Sequence, residues 1–418
     1  TQPLVLSPAD PHALYYANQY LFKSTDGARS WTRISPDLTR PDPGIPSNLD
    51  AAAAASTFRN GKRGVIYTVA PSPLLAPMVW VGTDDGLIHL TTDDGGSWRD
   101  VTPPEMTSWS RVTMIEASHF DVDTAYASVD RHQLQDFDPY VYRTRDRGRT
   151  WQRITEGLPA GVYVHVVKED PERQGLLFAG TERGAFVSFD DGDHWQSLQL
   201  DLPVTSVRDF QVYDGDLIVA THGRGFWVID DIAVLRQIDD AVAAADAYLF
   251  EPADQVLVDQ GGDNGTPFPM DEPRAENPPA GVYIDYYLGR DASGAVTLEI
   301  LDADGSTLDT FPRPAGGGRG RGGGGRGGGI PNTNALWRPE PEPFHTEAGM
   351  HRVAWVPNTG GGRGFGGFGG RGGGSARPVV ELPGTFTARL TVGGRSYTQS
   401  FRVEPDPTTR EAVEGARE

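Results

Sequence analysis

Through the first half of the chain, apolar or alternating runs of about four residues come in pairs. Residues 67–70 are followed by 79–82, 112–115 by 124–127, 164–167 by 176–179, and 204–207 by 217–220. Residues 4–6 and 14–16 make an earlier pair of the same kind. Each unit predicts strands A, B and C, a polar turn, and a short strand D such as 98–101. Five units fit this scheme, and the fifth stops at Phe226-Trp227-Val228-Ile229 with no turn motif or strand D behind it. The period then changes. Ile232, Leu235, Ile238 and Val242 recur at three and four residues, which predicts a connecting helix over 232–247. Strand-like runs return at 282–288, 295–301, 307–311, 349–356, 385–392 and 397–403, a pattern that predicts an immunoglobulin-like β-sandwich.

The polar turns repeat. Ser24-Thr25-Asp26-Gly27-Ala28-Arg29-Ser30-Trp31 returns at 91–98, 144–151 and 188–195, always as Ser/Thr-x-Asp and always ending in Trp. Ala28 replaces a glycine in the first copy, and His194 a hydroxyl residue in the fourth. An Asp side chain accepts hydrogen bonds from the N–H groups of its own turn, and Gly permits the positive φ of the bend. The Trp offers a large plate for packing between neighbouring sheets. Asp26, Trp31, Asp93, Trp98, Asp146, Trp151, Asp190 and Trp195 are therefore expected to be structural. The motif resembles the Asp-box, or BNR repeat, of sialidase-like and sortilin-like β-propellers, where the box builds the fold and does no chemistry. The expected class is all-β: a propeller of about five blades over residues 1–230, part of a larger propeller. A helical connector and linker (231–276), a β-sandwich (277–405) and a polar tail (406–418) follow.

Composition narrows the partners. The chain carries 37 Lys and Arg against 57 Asp and Glu, a net charge of −20. A surface so acidic repels nucleic acid and anionic lipid. Cysteine is absent, so disulfides and thiolate chemistry are excluded. No apolar run approaches the roughly 18 residues of a membrane span. Two tracts, 316–329 and 360–374, consist almost wholly of Gly and Arg. They are expected to be flexible loop expansions within the sandwich, since such sequence buries too little to offset its ordering entropy.

Chemistry is expected on one face. In a four-stranded antiparallel blade the A–B and C–D loops share one end, and the B–C and D–A loops the other. The boxes are C–D loops, which leaves the B–C end for ligands. There the candidate catalytic groups are Asp85, Glu182 and His222, two carboxylates and an imidazole suited to acid/base work. Asp84, Arg183 and Arg224 share the same hairpins, and His132 and Tyr140 lie in the B–C loop of the third unit. Trp109 in a D–A loop is a candidate stacking platform, and Glu116 a candidate for the channel wall. The plainer alternative for each is a solvated hairpin charge or a packed aromatic. Asp302-Ala303-Asp304-Gly305 lacks the closing acidic residue of a calcium loop, and no His-x-x-x-His pair or nucleotide fingerprint occurs, so no metal or cofactor is expected.

The phrases Trp80-Val81-Gly82-Thr83-Asp84-Asp85-Gly86, Ala179-Gly180-Thr181-Glu182-Arg183-Gly184 and Ala220-Thr221-His222-Gly223-Arg224-Gly225-Phe226-Trp227 resemble secreted bacterial BNR-repeat proteins, sortilin-like or labelled glycosyl hydrolase. That resemblance implies a secreted or periplasmic propeller recognising glycan or polypeptide; the alternative is a glycoside hydrolase with its carboxylates at the B–C end. The arginine triad of sialidases finds no matching positions, and xyloglucanase-like double propellers draw their two Asp residues from different propellers. Members of the family are longer at the N-terminus, so a processed chain or excised piece is expected, with further blades supplied by another polypeptide.

Overall fold

The computed structural model describes residues 2–44, 64–257, 281–313, 344–359 and 377–407. The chain divides into two units, Thr1–Ile229 and Asp230–Glu418.

Unit one is a succession of antiparallel sheets, each a meander whose spatial order follows the chain. The first blade comprises Leu4–Leu6, Leu14–Ala17, Leu21–Ser24 and Thr32–Arg33 (β1–β4). The second comprises Ile66–Pro71, Val79–Thr83, Ile88–Thr91 and Arg99–Asp100 (β5–β8). Arg111–Ala117, Ala125–Asp130, Val141–Thr144 and Gln152–Arg153 (β9–β12) make the third, and Val164–Glu169, Leu177–Thr181, Gly184–Ser188 and Gln196–Ser197 (β13–β16) the fourth. The fifth has three strands, Val207–Tyr213, Asp216–Thr221 and Phe226–Ile229 (β17–β19). These are propeller-type blades, and the inner strands β5, β9, β13 and β17 lie next to one another in sequence order.

The four repeated turns share one hydrogen-bond set. The hydroxyls of Ser24, Thr91, Thr144 and Ser188 donate to the Asp two residues on, at 2.8–2.9 Å. The same oxygens accept from the N–H four residues on, at 2.9–3.0 Å. Each Asp accepts from the N–H four residues further, in the fourth copy from His194 at 2.9 Å. Ala28 takes φ of 66° where the other copies place Gly, a left-handed conformation that costs an L-residue about 1 kcal/mol. The tryptophans reach across blades. Trp98 donates its indole N–H to the Ile34 carbonyl at 2.9 Å, Trp151 to Val101 at 2.7 Å and Trp195 to Ile154 at 2.9 Å. Each acceptor follows strand D of the preceding blade. Trp151 also meets the buried Trp80 edge-on at 6.1 Å, a contact worth about 1 kcal/mol beyond its area.

Two expectations are corrected here. Strand A of the fifth blade runs over Val207–Tyr213 instead of 204–207. The Asp214-Gly215 pair, both at positive φ, forms a two-residue hairpin that pairs Tyr213 with Asp216 and sets the register. The single helix expected over 232–247 is also absent. A 3₁₀ turn at Ile232–Val234 and a one-turn helix at Asp240–Ala243 stand there, followed by a strand from Ala247. Asp231 caps the first by accepting from Ala233 N–H, and Asp239 caps the second by accepting from Val242 N–H. Two N-caps eight residues apart start two helical turns, not one helix.

Unit two is a two-layer β-sandwich. Ala247–Leu249, Val282–Leu288 and Gly349–Trp355 (β20, β22, β25) form one sheet. Gln255–Leu257, Val296–Leu301, Thr307–Phe311, Gly384–Val392 and Arg395–Pro405 (β21, β23, β24, β26, β27) form the other, with β21 parallel to β27 and the remaining pairs antiparallel. Alternate residues such as Phe386, Ala388 and Leu390 point inward to meet Ile284, Tyr286 and Trp355. The tracts 316–329 and 360–374 lie outside the described residues.

Candidate functional site

The B–C hairpin of the fourth blade has only two residues, Glu182 and Arg183, between β14 and β15. Thr181 closes it, donating its hydroxyl to the Gly184 carbonyl at 3.0 Å. So short a tip holds Glu182 beside the starts of two inner strands, β13 of its own blade and β17 of the next. His165 supplies Nε2 at 2.7 Å from Glu182 Oε2, and the Ser206 hydroxyl donates to the same oxygen at 2.9 Å. Arg208 links the group: one guanidinium nitrogen lies 3.4 Å from His165 Nδ1, and the other 3.2 Å from His222 Nδ1 and 3.5 Å from Glu182. With Arg208 donating to both Nδ1 atoms, His165 carries its proton on Nε2 and donates it to Glu182.

The electrostatics agree with that assignment. Partial burial works to raise the Glu182 carboxyl, but hydrogen bonds from His165 and Ser206 outweigh it and hold it below the usual range. Burial pushes the His165 imidazole down, against the pull of Glu182, so it stays neutral at pH 7. Burial, then the Glu182 charge, push the Tyr163 hydroxyl up to about 12, leaving a phenol that donates.

Aromatic rings continue the surface. Tyr163 stacks on His132 at 5.0 Å and 25°, meets His165 edge-on at 4.9 Å and lies 6.2 Å from the exposed Phe137. His132 is held by the buried Asp130, whose two oxygens each lie 2.7 Å from Nδ1. The arrangement offers flat rings beside a carboxylate and a guanidinium, a set that can bind a polyhydroxylated ligand by stacking and paired hydrogen bonds.

Of the residues singled out in the sequence, the structure brings together Glu182, His222 and, through Tyr163, His132. It places the others apart. Asp85 is buried in the second blade, accepting from the Thr83 hydroxyl at 2.6 Å and from Arg40 N–H at 2.8 Å. Asp84 accepts from Val65 N–H at 2.8 Å, and burial raises its carboxyl. Trp109 donates its indole N–H to the Gly44 carbonyl at 3.2 Å. Tyr140 donates to Asp136 at 2.7 Å while Arg131 and Arg153 cover its ring. Arg183 and Arg224 stand exposed at hairpin tips. Glu116 does line a hollow of about 790 Å³ bounded by the inner strands, but it is paired there with Lys168 at 2.9 Å. Burial works to raise its carboxyl; Lys168 and His119 outweigh burial and lower it. Asp302 accepts from the N–H groups of Asp304 and Ser306, an ordinary turn. Among the described residues no cluster of His, Asp and Glu fits a metal ion, and no helix is long and apolar enough to cross a membrane.

Tyr163, His165, Ser206 and Arg208 were missed. Their signal is slight: each stands at the B–C end of an inner strand, His165 among the apolar Val164, Val166 and Val167.

No family model matches the chain. A probable oligoxyloglucan-reducing end-specific xyloglucanase from Neosartorya fischeri is 23% identical over 261 residues, 53% of this chain and 29% of that protein. The similarity is to a xyloglucanase, and it is distant. The chain spans less than a third of that relative's length. Among solved structures, a GH74 xyloglucanase from Xanthomonas campestris aligns over 54% of this chain and 36% of its own, with 18% identity and a TM-score of 0.38. A GH74 enzyme from Niastella koreensis aligns over 57% and 31%, with 14% identity and the same TM-score.

Proposed function

We propose that the first unit is a glycan-recognition module, secreted or periplasmic, that binds a saccharide chain at the B–C end of its third to fifth blades. The observation that carries this reading is the continuous surface of Phe137, Tyr163 and His132 beside Glu182, Arg208 and His222. Sugar rings present apolar faces to aromatic plates and hydroxyl pairs to carboxylates and guanidinium groups. The relative's name points to xyloglucan as the first ligand to try. Binding is favoured over hydrolysis because the B–C carboxylates are already engaged: Glu182 by His165, Ser206 and Arg208, Asp130 by His132, Asp85 by Thr83 and Arg40. A glycosidase keeps two carboxyl groups about 5 Å or roughly 6.5–9.5 Å apart around a substrate space.

Calorimetry with xyloglucan oligosaccharides tests it, run beside an assay for new reducing ends. Binding that Tyr163→Ala weakens by about tenfold or more, with no new reducing ends, is the expected result. Release of reducing ends that Glu182→Gln stops would establish the hydrolase alternative. No binding to any glucan or xylan oligosaccharide would sink both.

A further inference from the structure

The chain carries a net charge of −20, yet the B–C end of its fourth and fifth blades gathers arginines. Arg183 and Arg224 stand exposed at the two hairpin tips and make no ion pair among the described residues. Arg208 stands at the start of β17, between them, and its charge is only loosely met. Its guanidinium donates to His165 Nδ1 at 3.4 Å and to His222 Nδ1 at 3.2 Å, while Glu182 lies 3.5 Å away. Arginines elsewhere are closed by carboxylates: Arg143 lies 3.0 Å from Asp193, Arg352 2.9 Å from Asp285 and Arg389 2.8 Å from Glu299. Glu182 is itself committed to His165 at 2.7 Å and Ser206 at 2.9 Å. With the exposed Asp201, it is the acidic part of the two hairpins and of residues 198–208, against three arginines. Asp209, next in the chain, lines the channel hollow with Lys168 instead. The local surplus is positive in a chain whose total is strongly negative.

We propose that the saccharide bound at this end carries uronic acid groups, and that Arg208, helped by Arg183 and Arg224, seats their carboxylates. The inference rests on the glycan reading above and narrows it. A sugar ring stacked on Tyr163 lies beside His165, which meets Tyr163 edge-on at 4.9 Å and Arg208 at 3.4 Å. A charged group on that sugar or on its neighbour therefore comes to the guanidinium. A carboxylate is the matching group, because it is planar and takes two parallel N–H bonds from one arginine. The exposed tips add charge at longer range, which steers an anionic chain toward the site and is screened by salt. Nucleic acid is disfavoured, since its dense phosphates would meet the negative remainder of the surface.

Calorimetry on the intact chain compares xylan oligosaccharides of one backbone length: unsubstituted, bearing a glucuronic acid branch, and with that branch methyl-esterified. The acidic ligand should bind about tenfold or more tighter than the other two, and its advantage should shrink as salt is raised. Arg208→Gln should remove the advantage and leave the unsubstituted ligand within about twofold, whereas Tyr163→Ala should weaken all of them alike. Because Arg208 also holds two imidazoles, the paired variant Arg183→Gln/Arg224→Gln gives an independent reading at exposed tips. It should cut the advantage by about threefold or more. Equal binding of the acidic and esterified ligands overturns the inference and leaves the glycan reading standing. So does a preference for sulfated xylan over the uronate, or an advantage that survives in both variants. No binding of any of these ligands overturns the glycan reading and this inference with it.

Discussion

Two hairpins with nearly the same sequence do different things. Gly82-Thr83-Asp84-Asp85-Gly86 in the second blade and Gly180-Thr181-Glu182-Arg183-Gly184 in the fourth both join strands B and C behind a Gly-Thr pair. In the second blade the chain around Arg40 covers the tip: Arg40 N–H donates to the Asp85 carboxylate, and its guanidinium to the Asp85 and Gly86 carbonyls at 2.8 and 3.0 Å. In the fourth blade the neighbours are side chains, His165, Ser206 and Arg208, and Glu182 keeps access to solvent. A hairpin charge becomes a fold anchor when backbone donors close over it, and a site group when side chains frame it from beside.

The sharpest way to break this contrast is to remove each acid in turn. Asp85→Ala strands the half-buried Arg40 N–H and weakens the Thr83 hydroxyl's bonding, which should cost about 1–3 kcal/mol of stability. Denaturant unfolding measures it, and glycan affinity of the folded fraction should stay within about twofold. A loss below about 1 kcal/mol would show that Asp85 is no anchor.

The contrast also marks where sequence reasoning stops. Strand periodicity and the repeated turns placed β1, β19, β22 and β24 at their observed bounds, because alternation and turn chemistry are local properties. Asp85 and Glu182 were indistinguishable because their fates depend on Arg40, 45 residues away, and on Ser206 and Arg208, 24 and 26 residues away. His165 was hidden inside Val164-His165-Val166-Val167, which scores as a plain inner strand. The single helix is absent for a local reason: Asp231 and Asp239 each cap a separate turn, and the caps override the apolar period.

Smaller effects are expected on the binding side. Tyr163→Ala removes the central ring of the stacked surface and should weaken glycan binding by about tenfold or more, about 1.4 kcal/mol, with little change in melting temperature. Glu182→Gln keeps the shape and the Ser206 bond but loses the charge, so a fall of about threefold to tenfold is expected in the same titration. If both variants bind as the parent does, Glu182 is no more functional than Asp85, and the contrast collapses. Trp195→Phe tests the blade contact by itself: losing the bond to the Ile154 carbonyl should cost about 1 kcal/mol. Trp31→Phe should be silent in this chain, since no equivalent bond is made among the described residues.

The smallest predicted effect is a pH dependence that belongs to the fourth blade alone. Glu182 and His165 are both held below their usual values, Glu182 by its hydrogen bonds and His165 by burial. In each case the unfolded chain binds the proton more readily than the folded one. Their contribution to stability is therefore complete above the unfolded values, about 6.5 for His and 4.3 for Glu, and is lost as pH falls through the lower folded values. The first decline belongs to His165, the second to Glu182. Because Glu182 is partly open to water its share is screened, and its loss should amount to less than about 1 kcal/mol. Melting temperatures from neutral pH into the acid range, in the parent and in Glu182→Gln, isolate it. The variant should lose the lower part of the acid slope, and it should also shift the His165 part, because the carboxylate that opposes the burial of that imidazole is gone. Parallel curves would mean that Glu182 is not coupled to His165, and the site would then lack the organising pair on which its difference from the Asp85 hairpin rests.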